Sequence, residues 1–146
     1  MRDVVLEFFR GENLTVVTSD DGFMRITMPS ERGPVSCALR ADEGTGVVVF
    51  YSLCPIEVPA ERMSAALELV ARLNAGHVLG NLELDVDTGA IRFKTSIDVE
   101  GEALNEGLFA NLVYANVASL EQMLPAITAV VIEQKSPRDA MRATAA

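Results

Sequence analysis

The spacing of hydrophobic and polar residues changes period several times along the chain, and each change marks an element. Val4, Val5, Phe8 and Phe9 recur at helical spacing over residues 1–10, and Gly11 supplies a stop. A short apolar run, Leu14 to Val17, leads into the turn Ser19-Asp20-Asp21-Gly22. Met24, Ile26 and Met28 then alternate with Arg25 and Thr27, the period of a half-buried strand. The stretch PVSCALRADEGTGVVVFYSL predicts two strands joined around Asp42–Gly46. Its second half, VVVFYSL, is apolar on both faces, which predicts a place in the middle of a sheet.

Pro59 predicts the opening of a second helix, where its fixed φ suits the first turn and its missing N–H is no loss. Met63, Ala66, Leu67, Val70 and Leu73 form the expected apolar stripe, and Gly76 suits a left-handed stop. Two strands follow, then a long helical region from about 102 to 133. Residues 134–146, QKSPRDAMRATAA, read as a flexible tail, at most with a last short turn, beyond a single domain of residues 1–133. The order α-β-β-β-α-β-β-α predicts an α+β domain built on an antiparallel sheet.

The segment LELDVDTGAIRF tests a metal reading against a hairpin. Asp85 and Asp87 could begin a calcium loop, but its position 6 would be Ala90 instead of glycine, and its position 12 Ser96 instead of glutamate. A hairpin accounts for every position. Pairing 86 with 91, 84 with 93 and 82 with 95 keeps Leu82, Leu84, Val86, Ile91 and Phe93 on one face. It also sets Asp85 opposite Arg92 and Glu83 opposite Lys94, pairs worth about 0.2–1 kcal/mol each. Asp87 is then expected to accept the turn hydrogen bond.

At 146 residues the chain is long enough for one domain with a genuine core. A net charge of −9 argues against nucleic acid and anionic membrane as partners. Cys37 and Cys54 lack CxxC spacing and are expected to be buried free thiols. Asp3 and Glu7 interrupt the start, so no signal peptide is expected, and polar residues and Pro125 break the apolar stretch 107–132, so no membrane span is expected either. These features predict a cytoplasmic protein.

Candidate chemistry is sparse. His77 is the only histidine, which excludes an ordinary Ser-His triad, and a structural role near the end of the second helix is expected. Asp98, Glu100, Glu102 and Glu106 are expected at the start of the last helix, where carboxylates complement its dipole. No GxSxG, GxGxxG or Walker A pattern occurs. The sequence therefore predicts no enzyme, no cofactor and no metal.

The last helix carries more apolar residues than one face can hold. Leu112, Tyr114, Val117, Leu120, Met123, Leu124 and Ile127 are the candidate partner or dimer interface, with burial inside one chain as the alternative. Pro125 is expected to kink this helix or to begin a new segment.

In order, the segments FMRITMP, VSCALRADEGTGVVVFYSL, VPAERMSAALELVARLNAGHVLGNLELDVDTGAIRFKTSIDVEG and LVYANVASLEQMLPAI resemble the YbjN family of small bacterial proteins. The resemblance covers most of residues 22–127 and is most specific in LNAGHVLGNLELDVDTGAIRFKTSIDVEG and YANVASLEQMLPAI. It implies a sensory-transduction regulator with a fold similar to the type III secretion chaperones, which commonly pair as dimers. It transfers no catalytic or metal residue. Residues and resemblance together predict a non-enzymatic domain that binds another protein or an extended peptide segment, in a regulatory or chaperone-like role, and forms a homodimer. The rival is a small-molecule sensor with a pocket between sheet and helices. A third reading is an unrecognised enzyme using Tyr114, Asn116 or the 98–106 carboxylates.

Overall fold

Alternation in the strands is resolved by a sheet with one covered face and one open face. The computed structural model describes residues 1–144. Among them are six strands: β1 (Val17–Thr18), β2 (Met24–Met28), β3 (Val35–Asp42), β4 (Val47–Leu53), β5 (Asn81–Leu84) and β6 (Ile91–Asp98). They form one antiparallel sheet in the order β1-β2-β3-β4-β6-β5. The strand predicted for the middle, β4, lies between β3 and β6. Met24, Ile26, Met28, Leu39, Val48, Phe50, Leu82, Ile91 and Phe93 point into the core. Two-residue β1 is an addition to the predicted order.

Among the described residues four helices lie on the inward side, α1 (Arg2–Gly11), α2 (Met63–Ala75), α3 (Glu106–Val131) and α4 (Pro137–Thr144), with α4 packed on α2 and α3. Pro59 precedes a 3₁₀ turn over Ala60–Arg62 that leads into α2. The buried stripe of α2 is Ala66, Leu69 and Leu73, rotated from the predicted one, so Leu67 faces solvent. Gly76 is not left-handed, with φ −97°. The left-handed glycine that follows α2 is Gly80, φ +82°, where a Cβ would lie 2.4 Å from the Lys94 carbonyl oxygen.

The predicted tail is instead α4, and its last two residues, 145–146, lie outside the described residues. Ser136 Oγ accepts from the Asp139 N–H at 3.1 Å, and Pro137 sits in the first helical turn. So short a helix is marginal alone. Buried Ala140 and part-buried Met141 dock it on the core, and the Arg62 guanidinium donates to the Val130 and Lys135 carbonyls at its approach. Pro125 begins no new segment; α3 runs through it. Packing on both sides offsets a cost of about 3 kcal/mol for an interior proline.

The β5–β6 hairpin keeps its predicted faces but slips by two residues. Leu84 pairs with Ile91, Leu82 with Phe93 and Glu83 with Arg92. Glu83 nonetheless reaches both cations, Arg92 Nε at 2.6 Å and Lys94 Nζ. Asp85 does not face Arg92 in the ladder. Its Oδ1 accepts from the Asp87 and Thr88 N–H groups at 2.9 and 3.2 Å, so Asp85, not Asp87, is the turn acceptor. The longer loop docks on the segment before α2, where the Val58 N–H donates to the Gly89 carbonyl at 2.9 Å. Gly89 has φ +81°, and a Cβ there would stand 2.2 Å from the Val58 carbonyl oxygen. Val86 is left at the tip, 57% exposed.

Candidate functional site

Helix α3 was the predicted interface, and its position decides how much of that reading survives. Asn105 Oδ1 caps the helix by accepting from the Leu108 N–H at 2.8 Å. From there the helix crosses the sheet. Phe8 and Phe9 of α1 meet Phe109 edge-on at 5.2 and 5.6 Å, while α2 and α4 pack along its second half. Leu112, Val117, Leu120, Met123 and Ile127 are consequently buried within one chain, Val117 to 6% exposure and Leu120 to 0%. These five are core and not an accessible interface. The sequence reading lacked α4, and so lacked part of the cover. Of the predicted seven, only Tyr114, 46% exposed, and half-buried Leu124 reach the surface. Partial desolvation and the nearby Glu12 carboxylate push the Tyr114 hydroxyl above its ordinary pKa.

Beneath α3 lies a polar cluster. Asn116 is fully buried, and its amide nitrogen donates to the Phe50 and Phe93 carbonyls, both at 3.0 Å, and approaches Thr95 Oγ1 at 3.1 Å. Ser52 Oγ donates to Asn116 Oδ1. Thr95 Oγ1 in turn donates to the Leu112 carbonyl at 3.0 Å. One side chain thus ties the helix to the neighbouring strands β4 and β6. No donor is spare for chemistry. In sequence, Asn116 is visible only as a polar interruption in an apolar helix.

The remaining candidates stay apart. His77 Nε2 lies 3.1 Å from Ser119 Oγ, and the His77 ring meets Phe93 edge-on. Only Glu106 of the four carboxylates enters the first turn of α3; Asp98 ends β6 and accepts from the Glu100 N–H at 2.8 Å. Among the described residues no three His, Cys, Asp or Glu side chains gather where a metal could sit. Both thiols are free, but Cys54 is only half-buried. Burial pushes the Cys37 thiol up to about 11.

The face of the sheet away from the helices is open. Register sets its side chains in rows across the strands: Arg25, Ala38, Tyr51, Lys94 and Asn81 in one, and Thr27 with Ser36, then Leu53, Arg92 and Glu83, in the next. Arg40, Val49 and Ser96 form a third. Val49, Tyr51 and Leu53 thus make an apolar ridge along β4. Arg92 lies over the Tyr51 ring at 4.3 Å, and Phe23 stands 6.3 Å from it on the other side. A trough of about 400 Å³ runs from Val17 and Arg25 to Ser36 and Leu53. A groove of about 310 Å³ shares Ser36 and Leu53 and continues past Cys54 to Leu120 and Leu124 of α3.

An α+β unit with a six-stranded antiparallel sheet and helices on one face defines the class. The chain belongs to the YbjN family, described as "Putative bacterial sensory transduction regulator", which matches residues 1–129. Its fold is similar to the crystal structure of YbjN, "a putative transcription regulator" from E. coli, with TM-score 0.62 and 12% identity over 85% of this chain and 88% of that one. It is also similar to a chain of the HopA1–SchA chaperone–effector complex, with TM-score 0.53 and 19% identity over 84% and 91%. A chain of the ExsC–ExsE complex matches with TM-score 0.50 and 11% identity over 84% and 89%. A search of curated proteins finds no match. Among the described residues no helix is long and apolar enough to cross a membrane.

Proposed function

We propose that this chain is a non-enzymatic, cytoplasmic domain that binds another protein, or an extended segment of one, in a regulatory or chaperone-like role. The observation that carries the reading is the sheet face left uncovered while all four helices pack on the other side. Apolar ridges and helix-lined grooves are common means of holding a partner chain. Membership of a family described as sensory transduction regulators supports the regulatory half. The fold shared with a chain of a chaperone–effector complex supports the binding half, by analogy of fold.

The small-molecule rival wants a cavity between sheet and helices. That space is filled by fully buried Phe50, Phe93, Phe109 and Leu120 and by Asn116, whose amide is already engaged. A homodimer through α3 retains Tyr114 and Leu124 as its candidate contacts. The test is recovery of a tagged chain from a bacterial host, followed by calorimetric titration with the purified recovered protein. Saturable binding of a polypeptide supports the reading. A chain that carries a stoichiometric small molecule by native mass spectrometry, and binds no recovered polypeptide, contradicts it.

A further inference from the structure

We propose that the open sheet face is a docking site for an acidic amphipathic helix of a partner protein, one with an apolar stripe flanked by Asp and Glu. The inference rests on the protein-binding reading and adds the place and the chemistry of the occupant.

Charge carries the argument. The chain has 12 Lys and Arg against 21 Asp and Glu, so an average patch is acidic. The three central rows of the open face reverse that balance, with Arg25, Arg40, Arg92 and Lys94 against Glu83 alone. Acids return at the edges: Asp21 pairs with Arg25 at the rim, Asp85 of the β5–β6 turn lies near Arg92, and Asp42 and Asp98 sit at the turn end, where their Oδ1 atoms accept from loop N–H groups. Glu83 is shared between Arg92 and Lys94, which leaves one cationic charge of that trio unbalanced. Arg40 makes no ion pair among the described residues.

Shape agrees with charge. Neighbouring strands lie about 4.8 Å apart, so β2 and β6, three steps from one another, stand about 14 Å apart. A helix is about 10 Å across with its side chains and fits between the Arg25 side and the Arg92–Lys94 side. Its apolar stripe would rest on Val49, Tyr51 and Leu53, and acids on either flank would meet the cations. An extended strand suits the face less well. Its side chains alternate toward and away from the sheet, so acids between apolar contacts would point to solvent. A second copy of this chain suits it poorly too. A two-fold axis near Tyr51 would bring the cations of one copy toward those of the other.

The probe is a synthetic helix of about 18 residues, long enough to fold, with Leu at i, i+3, i+4 and i+7 and Glu on both flanks. Matched peptides replace Glu by Lys, or Leu by Ser. Fluorescence anisotropy with the full chain should show saturable binding of the Glu peptide, weakened by salt, and none of the Lys or Ser peptides. Arg40→Glu, exposed and outside any ion pair, should weaken it about tenfold, and Tyr51→Ala at least as much. Leu67→Ala, on exposed α2, should leave it unchanged, and circular dichroism checks that each variant is folded. No binding of the Glu peptide, equal binding of the Lys peptide, or indifference to Arg40→Glu and Tyr51→Ala overturns the proposal. So does a dimer in sedimentation that Tyr51→Ala dissociates, because the face would then belong to a second copy. If a recovered partner protein binds Arg40→Glu and Tyr51→Ala undiminished, the protein-binding reading stands and only this inference fails.

Discussion

Asn116 holds the helix to the sheet through its amide, and its loss strands several groups at once. Asn116→Ala leaves the Ser52 hydroxyl without its acceptor and the Phe50 and Phe93 carbonyls without this donor. Each buried polar group left unsatisfied costs about 1–3 kcal/mol. Urea unfolding should therefore show a loss of about 3 kcal/mol, and a loss below 1 kcal/mol would mean the cluster is peripheral. Glu83 gives a pH dependence. Partial burial raises its carboxyl, but hydrogen bonds from Lys94 and Arg92 outweigh that and hold it below the ordinary 4.5. Its contribution is thus complete above about pH 4.5 and drains away as pH falls through the lowered value. Glu83→Gln should lower stability at neutral pH and change little in strong acid, which flattens the acid limb of the stability curve; an unaltered acid limb would rule out this role for Glu83. The residue types at both sites are plain in the sequence. Which carbonyls Asn116 meets is not, because that depends on where α3 crosses the sheet.

The elements were legible wherever one local period ran long enough. β2, β6, α1 and α3 announce themselves by alternation or helical spacing, and β4 by an unbroken apolar run. Register was legible only modulo two, because a slip of two residues keeps every side chain on its face. The docking of Gly89 on Val58 selects between the two registers, and that contact spans the chain from before α2 to after β5. Gly89→Ala should force a left-handed alanine into the Val58 carbonyl and lower the melting temperature by several degrees, about 1 kcal/mol or more. An unchanged melting point would place the loop tip free of that segment. For α4 the local signal was present in Ser136, Pro137 and Asp139, yet so few residues look like a frayed end without the packing of Ala140.

For the whole molecule, the apolar surplus of α3 has a simpler cause than a subunit contact. Sheet, α1, α2 and α4 pack against the helix and bury most of it, leaving a stripe along Gly107, Asn111, Tyr114, Ala118 and Gln122. Leu120→Ala should cost about 2–5 kcal/mol in unfolding free energy, the range for a fully buried leucine. A variant of unchanged stability but reduced mass in sedimentation would restore the interface reading. Fold class and family were legible because the order of elements and the run from Leu73 to Gly101 are distinctive. The open face was not legible. Its rows join residues as distant as Arg25, Tyr51 and Lys94, which only the register brings side by side. Hydroxyl-radical footprinting of the chain with its recovered protein partner tests that face most directly. The account predicts protection of Phe23, Tyr51 and Leu53, with Leu67, Leu108 and Tyr114 unchanged. Protection confined to the helical side, with Tyr51 as reactive as in the free chain, would contradict it.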